Sequence, residues 1–318
     1  PVLSGGESSI GIGNGGAFVY SPNVDGEDAL WTHRGLLLRR DDVAPGLPGQ
    51  FVTFSSRPGM LPDGSVVVIS GFAAAAGGAT LGRVLYRSAP NAGLPIQPIL
   101  KSGDLVEGVA IGAIGISFNY QMSDNGQHLI VPLLLDTGST ATDGALWVNG
   151  QVLAREGSPV GASMPGENWE GFAGVAINNA GNWLLAGDSN GPTNRDAFLA
   201  YRGTVQVREG DLVSGEPLSA PAAMRAASID NRGRAVYVWN TAGNARKAFF
   251  AADASNLADA RVLLKTGSTV DLNGDCRSDG TVIDIFHTYT STFGVSLAED
   301  ESVYFHISFD SGGTLRQA

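Results

Sequence analysis

Ala145-Leu146-Trp147-Val148-Asn149-Gly150-Gln151-Val152-Leu153-Ala154-Arg155-Glu156-Gly157 reads as two short strands around an Asn-Gly turn. Apolar residues fill both arms, and Asn-Gly tolerates the positive φ that a tight hairpin requires. The first arm is an aromatic or aliphatic run ending in small polar residues. Versions of it recur at 29–35, 84–88, 197–203 and 248–253, and more weakly at 314–317. The second arm is aliphatic, then basic or small, then Gly or an acid. It recurs at 36–42, 98–104, 204–211 and 261–267, and once more at the start of the chain, 1–7.

A third segment type is a hairpin in which an apolar residue leads into Asn, Asp or Gly and a strand follows. Its copies lie at 12–16, 61–64, 122–126, 177–181, 229–233 and 297–301. The turn positions Gly16, Gly64, Gly126, Gly181, Gly233 and Glu301 are 48, 62, 55, 52 and 68 residues apart. Periods of this size, with four strands per unit, fit propeller blades. The strands are named A (into the turn), B (out of it), C (the aromatic arm) and D (the Gly/acid arm).

The chain opens on a lone D segment and closes on A, B and C. A ring gains from that split, because the first strand completes the last blade and removes an exposed edge. The expected fold is therefore all-β: a six-bladed β-propeller of four-stranded antiparallel blades, closed by segment 1–7. The repeats fall at about 8–42, 50–104, 112–157, 172–211, 224–267 and 283–318. A β-sandwich is the competing all-β reading.

The hairpin Leu61-Pro62-Asp63-Gly64-Ser65-Val66-Val67-Val68 resembles those of TolB-like propeller repeats. With 145–157 and Ile177-Asn178-Asn179-Ala180-Gly181, the chain is similar to tandem-repeat propellers in secreted and surface proteins of environmental bacteria. The resemblance implies a propeller at the cell surface or outside the cell, and it brings no catalytic residues with it.

Composition narrows the function. The net charge is −11, and Lys occurs only at Lys101, Lys247 and Lys265. Polyanions such as nucleic acid are repelled. No apolar run approaches the roughly 18–20 residues of a membrane-spanning helix. Cys276 is the single cysteine, so neither an intrachain disulfide nor a multi-cysteine zinc site can form. Pro1 in place of Met fits an exported product whose signal peptide is removed.

The sharpest local motif is Asp271-Leu272-Asn273-Gly274-Asp275-Cys276-Arg277-Ser278-Asp279. Oxygen-bearing side chains at alternate positions are what a Ca²⁺ loop uses. Asp271, Asn273, Asp275 and Asp279 match ligand positions 1, 3, 5 and 9, with Asp284 standing in for the displaced final acid. Cys276 takes the place of the usual glycine. A solvated acidic loop accounts for the same residues.

The histidines, His33, His128, His287 and His306, fall on separate repeats without metal-ligand spacing. No Gly-x-Ser-x-Gly nucleophile motif is present. Trp31 and Trp147 share a repeat position and read as packing residues. Trp169 breaks the pattern inside the long loop 161–171 and is the aromatic expected to touch a partner. The resulting expectation is a non-enzymatic module that binds protein or glycan, or assembles with itself. The alternative is a propeller hydrolase or lyase acting on polysaccharide.

Overall fold

The computed structural model describes residues 9–12, 16–24, 27–115, 120–219, 227–241, 243, 245–285, 295–305 and 307–317. Segment 1–7, His287 and His306 lie outside them.

The described residues form antiparallel sheets throughout. The first sheet holds β1 (Ser9–Ile12), β2 (Phe18–Ser21), β3 (Asn23–Val24), β4 (Glu27–Thr32) and β5 (Gly35–Arg39), ordered β1-β2-β4-β5 with β3 beside β4. The second is a plain meander of β6 (Phe51–Met60), β7 (Val66–Ala73), β8 (Gly82–Ala89) and β9 (Gly93–Lys101). In the third, β10 (Leu105–Val106), β11 (Val109–Ile114), β12 (Gln121–Met122), β13 (Leu129–Leu135), β14 (Gly144–Val148) and β15 (Gln151–Arg155) run β10-β11-β13-β14-β15, with β12 on β13. The fourth is β16 (Trp169–Ile177), β17 (Trp183–Ser189), β18 (Ala197–Tyr201) and β19 (Thr204–Arg208).

A short hairpin, β20 (Leu212–Val213) and β21 (Glu216–Pro217), leads to the fifth sheet. That sheet is β22 (Ala227–Ile229), β23 (Ala235–Thr241), β24 (Ala245–Ala251) and β25 (Arg261–Lys265). In the last stretch come β26 (Thr269–Val270), β27 (Gly280–Ile285), β28 (Val295–Leu297), β29 (Val303–Phe305), β30 (Ile307–Ser311) and β31 (Thr314–Gln317). The sixth sheet runs β26-β27-β30-β31, and β28 pairs with β29. Among the described residues, strands lie in the A, B and C segments of all six repeats and in five D segments.

Contacts gather the chain into two compact units. One is Pro1–Asn119, Asp124–Gln127 and Val131–Leu153; the other is Tyr120–Ser123, His128–Ile130 and Ala154–Ala318. In the first unit, Val19, Leu30 and Leu38 of sheet one meet Val52, Val66, Val68, Val84 and Tyr86 of sheet two. In the second, period-two alternation along β23 serves two cores at once. Tyr237 and Trp239 pack toward Leu184 and Leu199 of sheet four. Val236 and Val238 pack toward Val282, Ile285 and Ile307 of sheet six. Sheets four, five and six are thus stacked in chain order, with β16 beside β22 and β24 beside β27.

Two turn designs explain the repeat. All six A–B turn positions, Gly16, Gly64, Gly126, Gly181, Gly233 and Glu301, have φ between 69° and 81°. This is the left-handed region that glycine enters without steric cost. The D segments use the same device to fasten one sheet to the next. Gly103, Gly157, Gly210 and Gly267 have positive φ, and Asp41 takes that role in sheet one. Their amides donate to Ile111, Trp169, Leu218, Val282 and Val52; four of these lie in the following A strand, and Leu218 follows β21 and bridges to Thr241 at the end of β23. The Gly/acid signature is therefore a splice between sheets, and local hairpin geometry alone does not account for it.

Candidate functional site

Successive A–B turns in the second unit are tied side by side. Asn178 accepts the Ala180 and Asn182 amides on Oδ1 and donates from Nδ2 to the Asp230 carbonyl at 2.9 Å. The Asn179 amide donates to Asn231 Oδ1 at 2.7 Å, and the Asn231 amide to Glu299 Oε1 at 2.8 Å. Asp230 takes the Arg232 and Arg234 amides and the Arg234 guanidinium, Nε to Oδ2 at 2.6 Å. Both Asp230 and Arg234 are buried, so their pairing fixes the turn as a rigid unit. Burial works against the charge on Arg234, but Asp230 and Glu301 outweigh it and hold the guanidinium ionised.

This scaffold frames a cleft of about 370 Å³ between the turn ends of sheets four and five. Its walls carry Asn182, Tyr201, Asn231, Arg232, Ala252 and Asp253. Tyr201 is the last residue of β18, and Asn182 immediately precedes β17. Asn231 and Arg232 sit in the fifth turn, while Ala252 and Asp253 follow β24. Asp253 Oδ1 accepts the Ser255 amide and hydroxyl at 2.8 and 2.7 Å. The Ser255 hydroxyl and amide hold the Asp253 carboxyl below its ordinary pKa, so it stays anionic. Arg232 makes one long contact, 3.6 Å to Glu301, with both side chains more than 60% exposed. The cleft therefore gathers a phenol, amides, a guanidinium and a carboxylate on a hydrogen-bonded frame. None of these residues stood out in the sequence as a site. The only signal was their place in or beside the repeat turns.

The sequence-derived candidates are placed differently. Trp169, expected to contact a partner from a loop, is the first residue of β16 and only 5% exposed. Its ring packs on Phe172 and Phe198 at 5.3 and 4.9 Å. The strand begins earlier than the repeat spacing suggests, and it turns the indole into the protein interior.

The acidic loop satisfies itself. Asp271 accepts the Gly274 and Cys276 amides, Asn273 that of Asp275, Asp275 that of Arg277, and Asp279 that of Leu272. Cys276 adopts φ 64° at the position where a glycine was expected. Asp284 does not join this loop. It lies on β27, where both carboxylate oxygens take Arg246 Nη1 at 2.8 Å. Among the described residues, no group of three or more His, Cys, Asp or Glu side chains is placed to hold a metal ion. His128 flanks β13, and its ring sits about 3.0 Å from where a side chain on Gly181 would begin. No helix among the described residues is long and apolar enough to cross a membrane.

No protein-family model matches the chain, and no curated protein matches it. Among solved structures, an oligogalacturonate lyase from Vibrio parahaemolyticus is 11% identical, over 97% of this chain and 87% of that one, with a TM-score of 0.44. The PQQ-bound aldose sugar dehydrogenase of Streptomyces coelicolor is 13% identical, over 100% and 95%, with a TM-score of 0.37. The polysaccharide lyase Uly1 is 10% identical with a TM-score of 0.36; 98% of this chain aligns, spanning only 56% of the lyase. Likeness at this level assigns no activity.

Proposed function

We propose that the chain is a six-bladed β-propeller acting outside the cell as a binding module for protein or glycan. The observation that carries the binding role is the polar cleft at Asn182, Tyr201, Arg232 and Asp253. The cleft is open to solvent, and recognition there would rest on a few polar groups carried by turns that hydrogen bonds hold in place.

For the ring, the repeat pattern assigns the sixth D segment to 1–7, which lies outside the described residues. Strand β31 exposes all four of its residues, and the sixth sheet lacks a D strand among the described residues. Removing 1–7 should lower the melting temperature and speed exchange of the β31 amides that do not face β30. An unchanged melting curve would argue against closure.

A hydrolase or lyase acting on polysaccharide is the second reading. One cleft brings together a phenol, a guanidinium and a carboxylate, groups suited to proton transfer and charge stabilisation. A glycan and protein array run beside a polysaccharide-degradation panel separates the two. Binding without turnover supports the module. Turnover abolished by Tyr201→Phe replaces it with the enzyme, and silence in both assays defeats both.

A further inference from the structure

We propose that the cleft between the fourth and fifth sheets takes a neutral, hydroxyl-rich saccharide unit. The inference rests on the binding reading above and narrows it to one ligand class.

The cleft's polar groups divide by hydrogen-bonding character. Arg232 is a donor only, and Asp253, ionised, is an acceptor only. Asn182 and Tyr201 can each do both. Among the described residues, no protein hydrogen bond occupies the Asn182 side-chain amide or the Tyr201 hydroxyl. Asp253 uses one carboxylate oxygen for Ser255, and the other has no protein partner. The lining thus offers separate donor-only and acceptor-only groups, with mixed groups beside them.

Simple ions fit this set poorly. A phosphate or carboxylate that satisfied Arg232 would meet the charge of Asp253. A metal or ammonium ion that satisfied Asp253 would meet Arg232. The chain's net charge of −11 adds a longer-range penalty for polyanions. A sugar hydroxyl is both donor and acceptor, so a vicinal pair can give to Asp253 and accept from Arg232 or Asn182 without an unpaired charge. The Tyr201 ring adds an apolar surface suited to the C–H face of a pyranose. A volume of about 370 Å³ lies in the usual small-ligand range.

The test is titration calorimetry of the whole chain with neutral oligosaccharides, namely glucan, xylan and mannan fragments. Inorganic phosphate, oligouronates and free amino acids form the competing arms. The expected result is saturable binding of one neutral oligosaccharide, weakened about tenfold or more by Asp253→Asn and by Arg232→Ala, as loss of a hydrogen bond to a charged group requires. Both changes are on exposed residues and should leave the melting temperature unmoved. If phosphate, uronates or amino acids bind in the neutral sugars' place, the ligand class is wrong. If a neutral sugar binds both variants as tightly as the parent, the site is wrong while the binding-module reading survives. If nothing on the array or in the calorimeter binds, that reading fails with it.

Discussion

In the fifth sheet, strand β23 buries six of its seven residues. In the sixth sheet β30 buries three of its five residues, and β31 is exposed at every position. The two sheets follow the same strand plan and differ in enclosure. Sheet five is packed on both faces, by sheet four through Tyr237 and Trp239 and by sheet six through Val236 and Val238. Their A–B turns differ in the same sense. Turn five uses Gly233 and a buried Asp230–Arg234 pair, whereas turn six places Glu301 at φ 74° with its side chain 65% exposed. The repeat therefore dictates backbone shape everywhere. Burial decides how strictly each copy must be spelled.

The widest gap should appear in the cores. Phe249→Ala in sheet five removes a fully buried ring stacked on Tyr237 and should cost about 3–5 kcal/mol. Leu315→Ala on β31 should stay within about 0.5 kcal/mol, since that side chain is 67% exposed. Denaturant unfolding of both variants measures the difference, and equal losses would erase the contrast.

Next comes the buried pair. Arg234→Ala leaves the Asp230 carboxylate buried without its partner and should cost about 3 kcal/mol. It also cuts the link to the Glu299 carbonyl, so amide exchange in turn six should quicken along with that in turn five.

The backbone contrast is smaller. Gly233→Ala forces a side chain into the left-handed region at φ 81° and should cost roughly 1–2 kcal/mol. Glu301→Ala, at a position that already holds a side chain, should cost less than about 1 kcal/mol, mostly from ion pairs screened by solvent. Thermal melts of the two variants rank them.

The smallest effect is acid titration of turn six. The Ser302 amide and hydroxyl hold the Asp300 carboxyl below its ordinary value of 3.8. A lowered folded-state pKa means the stabilising contact is complete above pH 3.8 and is lost as pH falls through the lower folded value. The Ser302 amide resonance should therefore titrate with a midpoint under 3.8, and Asp300→Asn should abolish that transition.

Much of the architecture was legible in the residue pattern because its determinants are local. A tight turn needs a residue that accepts positive φ, and the six positions read from the repeat all adopt it, including the unglycine-like Glu301. Alternation along β23 is equally local, whereas the Gly/acid endings of the D segments were legible as a pattern but not as links to the next sheet. Side-chain destinations were not legible. Trp169 looked like a loop aromatic until the start of β16 carried it against Phe172 and Phe198. Asp284 looked like a late loop ligand until strand pairing set it opposite Arg246. The cleft assembles Asn182, Tyr201, Arg232 and Asp253 from four places in the chain. Order along the chain determined which strands and turns would form, because short-range sterics and hydrophobic alternation act within a few residues. Only the stacking of one sheet on the next decided which polar groups would share a cleft, because that proximity comes from packing and from turn-to-turn hydrogen bonds that no local spacing encodes.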